Sequence, residues 1–360
     1  MCRLPIVDNR QKAYGSIMSH RLGTLIATYL EPDLVEQIAA VDPAVDVIYE
    51  PDLLPRPRYA CDHTGTPRDL TAAEQSRWDR ALAAADVAFD FDWQAPAQLP
   101  QRAPNLRWVQ ATSAGIGAFV QRTGLDRTDI TFTTAAGIHA VPLAEFAVTG
   151  ALHFIKGLPH LRAQQSAHRW QRYTTARLAG RTVTVVGLGG IGRQVVASFA
   201  ALGTHVTAVG RPGGSYDLDG AAAVRTTADL AELLPHTDVL VLCTPLTPLT
   251  EGLLDAALIA RLKPGAILVN IGRGQLVDEP ALIEALRGGA LAGAALDVFA
   301  TEPLPADSPL WDLDNVLVSP HSASTVDTEN AAITDLFRDN LRRFLDGGSL
   351  RNLYRRELGY

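Results

Sequence analysis

Three polar residues in this chain each stand just past a short run of apolar or small residues. Arg273 follows AILVN in Asn270-Ile271-Gly272-Arg273-Gly274, Glu302 follows ALDV in Asp297-Val298-Phe299-Ala300-Thr301-Glu302-Pro303, and His321 follows NVLVS and Pro320. Such runs read as buried strands of a parallel sheet, and these sheets bind ligands outside the carboxyl ends of their strands. The trio suits one chemistry. Reduction of a 2-keto acid needs a cation to hold the carboxylate and polarise the carbonyl, and a proton donor for the oxygen as hydride reaches carbon. Arginine offers a planar bidentate fork, and imidazole titrates near neutrality. A carboxylate bonded to the far ring nitrogen orients the ring and favours its charged form. His153, His160 and His168, on a helical pattern, read as solvated or packing residues.

A hydride source is indicated by Gly187-Leu188-Gly189-Gly190-Ile191-Gly192, which directly follows VTVV and opens a helical pattern. In that context the first glycine allows a tight turn, the second lets backbone approach a pyrophosphate, and the third lets helix and strand pack closely. The helix N-terminus adds unpaired N–H groups for the anion. An NAD-preferring site wants an acid about 20 residues on, at the end of the next strand. Here THVTAV ends in Gly210-Arg211-Pro212-Gly213, with no carboxylate before Asp217. A guanidinium there suits a 2′-phosphate, so NADP(H) is expected over NAD(H).

The elements that must position these groups fall into two alternating series. From Thr24 to about residue 141, TLIATY, PDLVEQIAAV, VDVIYE, TAAEQSRWDRALAAA, DVAFDF, LRWVQ and ITFTTA alternate strand-like and helical patterns. A second series starts at Thr182 with VTVVG and runs through THVTAV, DVLVLC, AILVNI, EPALIEALRGG, ALDV and NVLVS. Such alternation implies doubly wound α/β layers. Between the series lies one long helical pattern, Pro142–Trp170, expected to bridge two domains. A last helix is expected over roughly Val326–Leu345, packing back on the first domain and making it discontinuous. The loop Pro51–Asp69, 19 residues with four prolines and three arginines, reads as a functional lid or a packed surface excursion.

Composition narrows the partners. With 32 Lys+Arg against 39 Asp+Glu, a net charge of −7 and no long basic run, nucleic acid is not expected. Cys2, Cys61 and Cys243 lack CxxC spacing, which argues against a disulfide framework or a metal site and fits the cytoplasm. No apolar run reaches the roughly 20 residues of a spanning helix, so no membrane association is expected. Residues 1 to 21 add polar sequence before any element, and Met18 is the expected native start.

GLGGIG, VNIGRG, ALDVFATEPLP and SPH, in that order, resemble the D-isomer-specific 2-hydroxyacid dehydrogenases. Upstream, Ser113-Ala114-Gly115 and Gly137-Ile138-His139-Ala140-Val141-Pro142 extend the likeness over about residues 105 to 325. The resemblance implies a Rossmann nucleotide-binding domain, 143–321, inserted in a flavodoxin-like substrate domain, 1–142 and 322–360. It implies Arg273 as the substrate-binding arginine, Glu302 as the acid paired with histidine and His321 as acid/base. Backbone around Ser113, Ala114 and Gly115 would bind the substrate carboxylate. Cofactor contacts are implied at Gly187, Gly189, Gly190, Ile191, Gly192, Arg211, Thr244, Pro245 and Ile271, with Asp297 near the nicotinamide amide. Arg211 resembles the NADPH-using glyoxylate/hydroxypyruvate reductase branch. His321 is followed by Ser322-Ala323-Ser324-Thr325 rather than the family's more usual glycine-containing continuation. Family members are typically dimers through the segment matching Pro142–Arg181, where Trp170 resembles an aromatic that reaches the partner's site in some relatives. The expected substrate is a small 2-keto acid. The rivals are a dinucleotide-sensing binding protein and a phosphoglycerate-type dehydrogenase, for which Arg56, Arg58 and Arg68 would supply cations.

Overall fold

Among the described residues, every strand pairs parallel to its neighbours, in two separate sheets. The structure, a computed structural model, describes residues 21–357 and Gly359; Cys2 and Met18 lie outside the described residues. The chain divides into two compact units: one runs to Ile138 and resumes at Val326, the other is His139–Thr325.

In the first unit β1 (Leu22–Ile26), β2 (Val45–Ile48), β3 (Val87–Phe89), β4 (Trp108–Gln110) and β5 (Thr131–Thr133) lie in the order β2-β1-β3-β4-β5. That is the flavodoxin-like order. Helix α1 (Pro32–Ala39) enters through a proline in its first turn, where the missing N–H costs nothing. Helix α2 (Ala72–Ala83) starts at a capping box in which Thr71 Oγ1 accepts from Glu74 N–H while Glu74 Oε2 accepts from Thr71 N–H. The unit is completed from the far end of the chain. Helix α7 (Glu329–Leu345) sets Phe337 edge-on to Phe89, ring centres 5.2 Å apart, and stacked on Trp108 at 5.1 Å. Its buried Asn340 donates to Gln110 Oε1 at 3.0 Å, and Thr133 Oγ1 donates to the same oxygen at 2.8 Å.

The second unit holds β6 (Thr182–Val186), β7 (His205–Gly210), β8 (Ala221–Thr226), β9 (Val239–Leu242), β10 (Ala266–Asn270), β11 (Leu291–Leu296) and β12 (Val316–Val318). Their order β8-β7-β6-β9-β10-β11-β12 is that of a Rossmann sheet with one strand added beyond β11. Its longer helices are α3 (Ala140–Ile155), α4 (Leu158–Ser166), α5 (Gly190–Ala201) and α6 (Glu279–Arg287). Cores on the two faces explain why β9 and β10 are buried throughout and read as unbroken apolar runs.

Three expectations are corrected. The helical pattern Pro142–Trp170 is two helices bent by 61°, because Gly157 takes a left-handed φ of 64° and Pro159 follows it, and the second helix stops at Ser166. Strand β8, AAAVRT, was not expected, since alanine favours helices; register with β7 imposes the strand. The run ALDV is not a strand of its own: β11 is LAGAAL and ends at Leu296, which leaves Asp297 just beyond the sheet. Among the described residues no single helix is long and apolar enough to cross a membrane.

Candidate active site

β10, β11 and β12 are neighbours pointing the same way, so the segments that leave their carboxyl ends share one edge of the second unit. After β12, His321 Nδ1 lies 2.8 Å from Glu302 Oε2. The other carboxylate oxygen, Oε1, accepts from Phe299 N–H at 3.0 Å, which fixes the acid on its own turn. Burial works to raise the Glu302 pKa, but the bonds from His321 and Phe299 outweigh it and hold the group below the usual glutamate value. Glu302 is therefore charged throughout the neutral range and can support an imidazolium. Nε2 is the ring nitrogen left to face a reacting oxygen.

His321 has a φ of 56°, a left-handed conformation that costs a non-glycine residue about 1–3 kcal/mol. Asp297, 2% exposed, holds it there. Its Oδ1 accepts from Ser319 Oγ at 2.6 Å and from the N–H groups of Ser322 and Ala323, both at 2.9 Å. Residues on both sides of His321 are thus tied to one oxygen. Burial pushes the Asp297 pKa up, against these bonds.

Arg273 is placed by a buried asparagine. Asn270, at the end of β10, accepts from Gly272 N–H at 3.1 Å and donates to Arg273 O at 3.0 Å, stapling the turn between them. A Cβ on Gly274 would lie 1.8 Å from Phe299 C, so only glycine lets this turn pass against the segment that carries Glu302. Burial lowers the Arg273 pKa, and the Glu302 and Asp297 carboxylates oppose that shift. A partly desolvated guanidinium binds an incoming carboxylate more strongly than one in water does. Asn270 and Ser319 were not anticipated as site residues; the signal for Asn270 was its amide closing an otherwise apolar strand.

The glycine turn follows β6 at the place where strand order reverses, between β6 and β9. Gly187 has φ 104°, and a Cβ there would lie 2.8 Å from Cys243 C and Thr244 N. Gly192 is tighter, with a Cβ 1.7 Å from Gly187 O. A Cβ on Gly189 would meet nothing within 4 Å, so that face of the turn is open. Helix α5 begins there without a side-chain cap, leaving its first N–H groups to an anion. These residues fit a dinucleotide pyrophosphate. Thr244 and Pro245 follow β9, with Thr244 O 2.9 Å from a Cβ on Gly272, and Ile271 is buried against the core. The Cys243 thiol donates to Val186 O and Gly187 O beneath the turn, and burial pushes its pKa up to about 12, which makes it a packing group. Two substitutions separate structure from binding. Gly189→Ala is expected to leave Tm unchanged and weaken NAD(P)H binding, whereas Gly192→Ala is expected to lower both, at a cost of about 1–3 kcal/mol or more. Thermal unfolding and cofactor fluorescence titration check this; unchanged cofactor affinity in both variants would remove the turn from the site.

Residues 148–323 match the NAD-binding domain of D-isomer specific 2-hydroxyacid dehydrogenases. A D-isomer specific 2-hydroxyacid dehydrogenase from Xanthobacter autotrophicus Py2, solved in complex with NADPH and MES, is 31% identical with a TM-score of 0.75, and the match covers 95% of this chain and 100% of that one. The chain belongs to the D-isomer specific 2-hydroxyacid dehydrogenase family. Within the family, similarity runs in two directions. An NADPH-dependent glyoxylate/hydroxypyruvate reductase from Sinorhizobium meliloti is 28% identical with a TM-score of 0.73 over 94% of this chain and 99% of that one. A D-3-phosphoglycerate dehydrogenase from Mycobacterium leprae is 39% identical over 256 residues, 67% of this chain but 45% of its own length. The chain thus spans about half the length of the phosphoglycerate dehydrogenases it matches.

The remaining positions that the family likeness singles out are placed as follows. Ser113, Ala114 and Gly115 belong to the first unit, directly beyond β4, with Ser113 O accepting from Ala135 N–H at 3.1 Å. Arg211 stands exposed just past the end of β7. His153 packs edge-on against Phe154 and His160 against Tyr173, both away from the acid/base pair in sequence and in element. The loop 51–69 is a tied excursion: Arg56 and Thr66 form an antiparallel bridge, and buried Asp62 accepts from Arg58 Nε and Nη2 and from Gly65 N–H.

Proposed function

We propose that the protein reduces a small 2-keto acid of glyoxylate or hydroxypyruvate type to the D-2-hydroxy acid, using NADP(H) in preference to NAD(H). The observation that carries this reading is the His321–Glu302 pair, 2.8 Å apart, on strand ends adjacent to that of Arg273. When bound, the nicotinamide supplies the hydride. Arg273 holds the substrate carboxylate and polarises the carbonyl with its fork. His321 gives the proton on Nε2 to the carbonyl oxygen, and Glu302, already ionised, stabilises the imidazolium until then. Asp297 keeps the histidine in place through the loop it ties. Backbone N–H groups at Ser113, Ala114 and Gly115 bind the substrate carboxylate in this scheme, with 1–142 and 322–360 as the substrate domain and 143–321 as the dinucleotide domain.

A small substrate is favoured over phosphoglycerate by the state of the loop arginines. Arg58 is held bidentately by Asp62, and Arg68 lies 3.6 Å from Glu74, so two of the three cations that a distal phosphate would want are already paired. For the cofactor, Arg211 in place of an acid supports NADPH, and NADPH as the cofactor favours reduction as the working direction. The assembly is a homodimer through Pro142–Arg181, a segment where Leu158, Leu161, Trp170 and Tyr173 are exposed in the single chain and Trp170 fully so. Both described cysteines are free, in keeping with the cytoplasm.

The test is a panel of 2-keto acids, glyoxylate, hydroxypyruvate, 3-phosphohydroxypyruvate and a larger homologue, followed at 340 nm with each cofactor. Highest kcat/KM on the small acids with NADPH is expected. Arg211→Ala is expected to raise KM for NADPH by about tenfold, the loss of a charge-assisted contact of roughly 1.4 kcal/mol. Preference for the phosphorylated acid, or for NADH, would replace the corresponding half of the proposal.

A further inference from the structure

Beyond β7 the chain folds back around a single side chain. A Cβ placed on Gly210 would lie 2.2 Å from the Tyr216 ring, and one on Gly214 would lie 2.5 Å from it, so the ring lies against the Cα of both glycines. Between them, Gly213 turns the chain with φ 73°, and Gly214 N–H donates to Arg211 O at 3.2 Å. The Tyr216 hydroxyl accepts from the backbone N–H of Arg211 at 3.2 Å. The ring itself packs against the core cluster that contains Val195, Val196 and Phe199 of α5. The next residue is tied to the same helix, since Arg193 Nη1 donates to Asp217 O at 2.9 Å. A segment with glycine at three of five positions, 210 to 214, has a large conformational freedom to lose. Here the tyrosine removes much of it before any ligand arrives.

We infer that Tyr216 is a positioning residue for cofactor choice: it fixes the backbone of Arg211 so that the guanidinium meets the phosphate on the adenosine ribose. This rests on the reading of Arg211 as the 2′-phosphate ligand. A fixed loop lowers the ordering cost of binding, and arginine gains most when its fork is already aimed. The effect belongs to the phosphorylated cofactor alone, because NADH brings no group for that fork to bind.

The experiment compares wild type, Tyr216→Phe, Tyr216→Ala, Arg211→Ala and the double variant Tyr216→Ala/Arg211→Ala, measuring kcat and KM for NADPH and NADH at saturating keto acid, with Tm for each. Tyr216→Ala is expected to raise KM for NADPH by about tenfold, to change KM for NADH by less than about twofold and to leave kcat in place. Tyr216→Phe keeps the ring, folds as wild type and gives a smaller rise of about threefold through the lost hydroxyl. The double variant is expected to bind NADPH no worse than Arg211→Ala, since the two act as one unit. Equal rises in KM for both cofactors would make Tyr216 a merely structural residue and overturn the inference. If Arg211→Ala weakens NADPH and neither Tyr216 variant does, the inference alone falls. If Arg211→Ala leaves NADPH unaffected, the cofactor reading falls and takes this inference with it.

Discussion

Replacing His321 with alanine is expected to lower kcat for keto-acid reduction by about 10²- to 10⁴-fold, the usual range for loss of a positioned acid/base, while NADPH still binds. The split follows from where the residue stands. His321 leaves β12 and bonds to Glu302, whereas the glycine turn leaves β6 and is built from Gly187, Gly189 and Gly192 without help from the histidine. Alanine keeps the Cβ that the left-handed position at 321 already tolerates, and the Asp297 bonds to Ser319, Ser322 and Ala323 that hold the loop do not involve the ring, so the fold loses little. Single-turnover rates and cofactor fluorescence titrations report the two properties separately. An alanine variant with wild-type kcat would end the assignment, and one that has lost NADPH binding would move His321 from the acid/base role into the cofactor site. Glu302→Gln keeps the shape and a hydrogen-bond acceptor but removes the charge, so a smaller fall in kcat is expected from it than from the histidine variant.

Arg273→Ala is expected to lower kcat/KM for the keto acid by about 10²- to 10³-fold, comparable to losing one preorganised donor at a developing oxyanion. KM is expected to rise as well as kcat to fall, because in the proposed reading the same fork holds the carboxylate and polarises the carbonyl. Arg273→Lys keeps the charge and is expected to recover part of KM and little of kcat, since an ammonium cannot engage two oxygens in a plane. Burial already pulls the Arg273 pKa down against the Glu302 and Asp297 carboxylates. Taking the cation away therefore leaves both carboxylates without its compensating charge, and the alanine variant is expected to lose some Tm. Steady-state kinetics with a short keto acid check the first statement and thermal unfolding the second. A variant whose KM is unchanged would show that the substrate carboxylate is held elsewhere.

Much of this was legible in the sequence, for reasons that differ by residue. The glycine turn was readable because three separate steric demands act on three glycines at fixed spacing, and only one backbone arrangement meets them all. Arg273, Glu302 and His321 were readable as strand-end groups, since buried parallel strands announce themselves as apolar runs and the polar residues that soon follow each lie near the edge. Their pairing was legible only through the family resemblance, since that Glu302 reaches Nδ1 depends on β11 and β12 being neighbours, a matter of long-range order. Strand β8 was missed because its alanines carry no local preference for extension. The break at Gly157 was missed because apolar periodicity continues across it while the left-handed turn is invisible to periodicity. Asn270, Ser319 and Tyr216 escaped notice for a common reason. Each acts through another residue, Asn270 and Tyr216 through backbone and Ser319 through the Asp297 carboxylate, and no pattern of residue types records which group a side chain will touch.

The closing of the first unit by α7 bears on how the protein is made. The stacked and edge-on rings of Phe337, Trp108 and Phe89 join residues more than 200 positions apart along the chain. As the polypeptide leaves the ribosome, β1 to β5 emerge first but lack one wall of their core until the last helix has been synthesised. The strands of the second unit, by contrast, all lie within one continuous stretch and have what they need as soon as β12 is out. The later-made half can therefore reach its final form before the earlier-made one, and it can do so while the sheet that began the chain still waits for its partner.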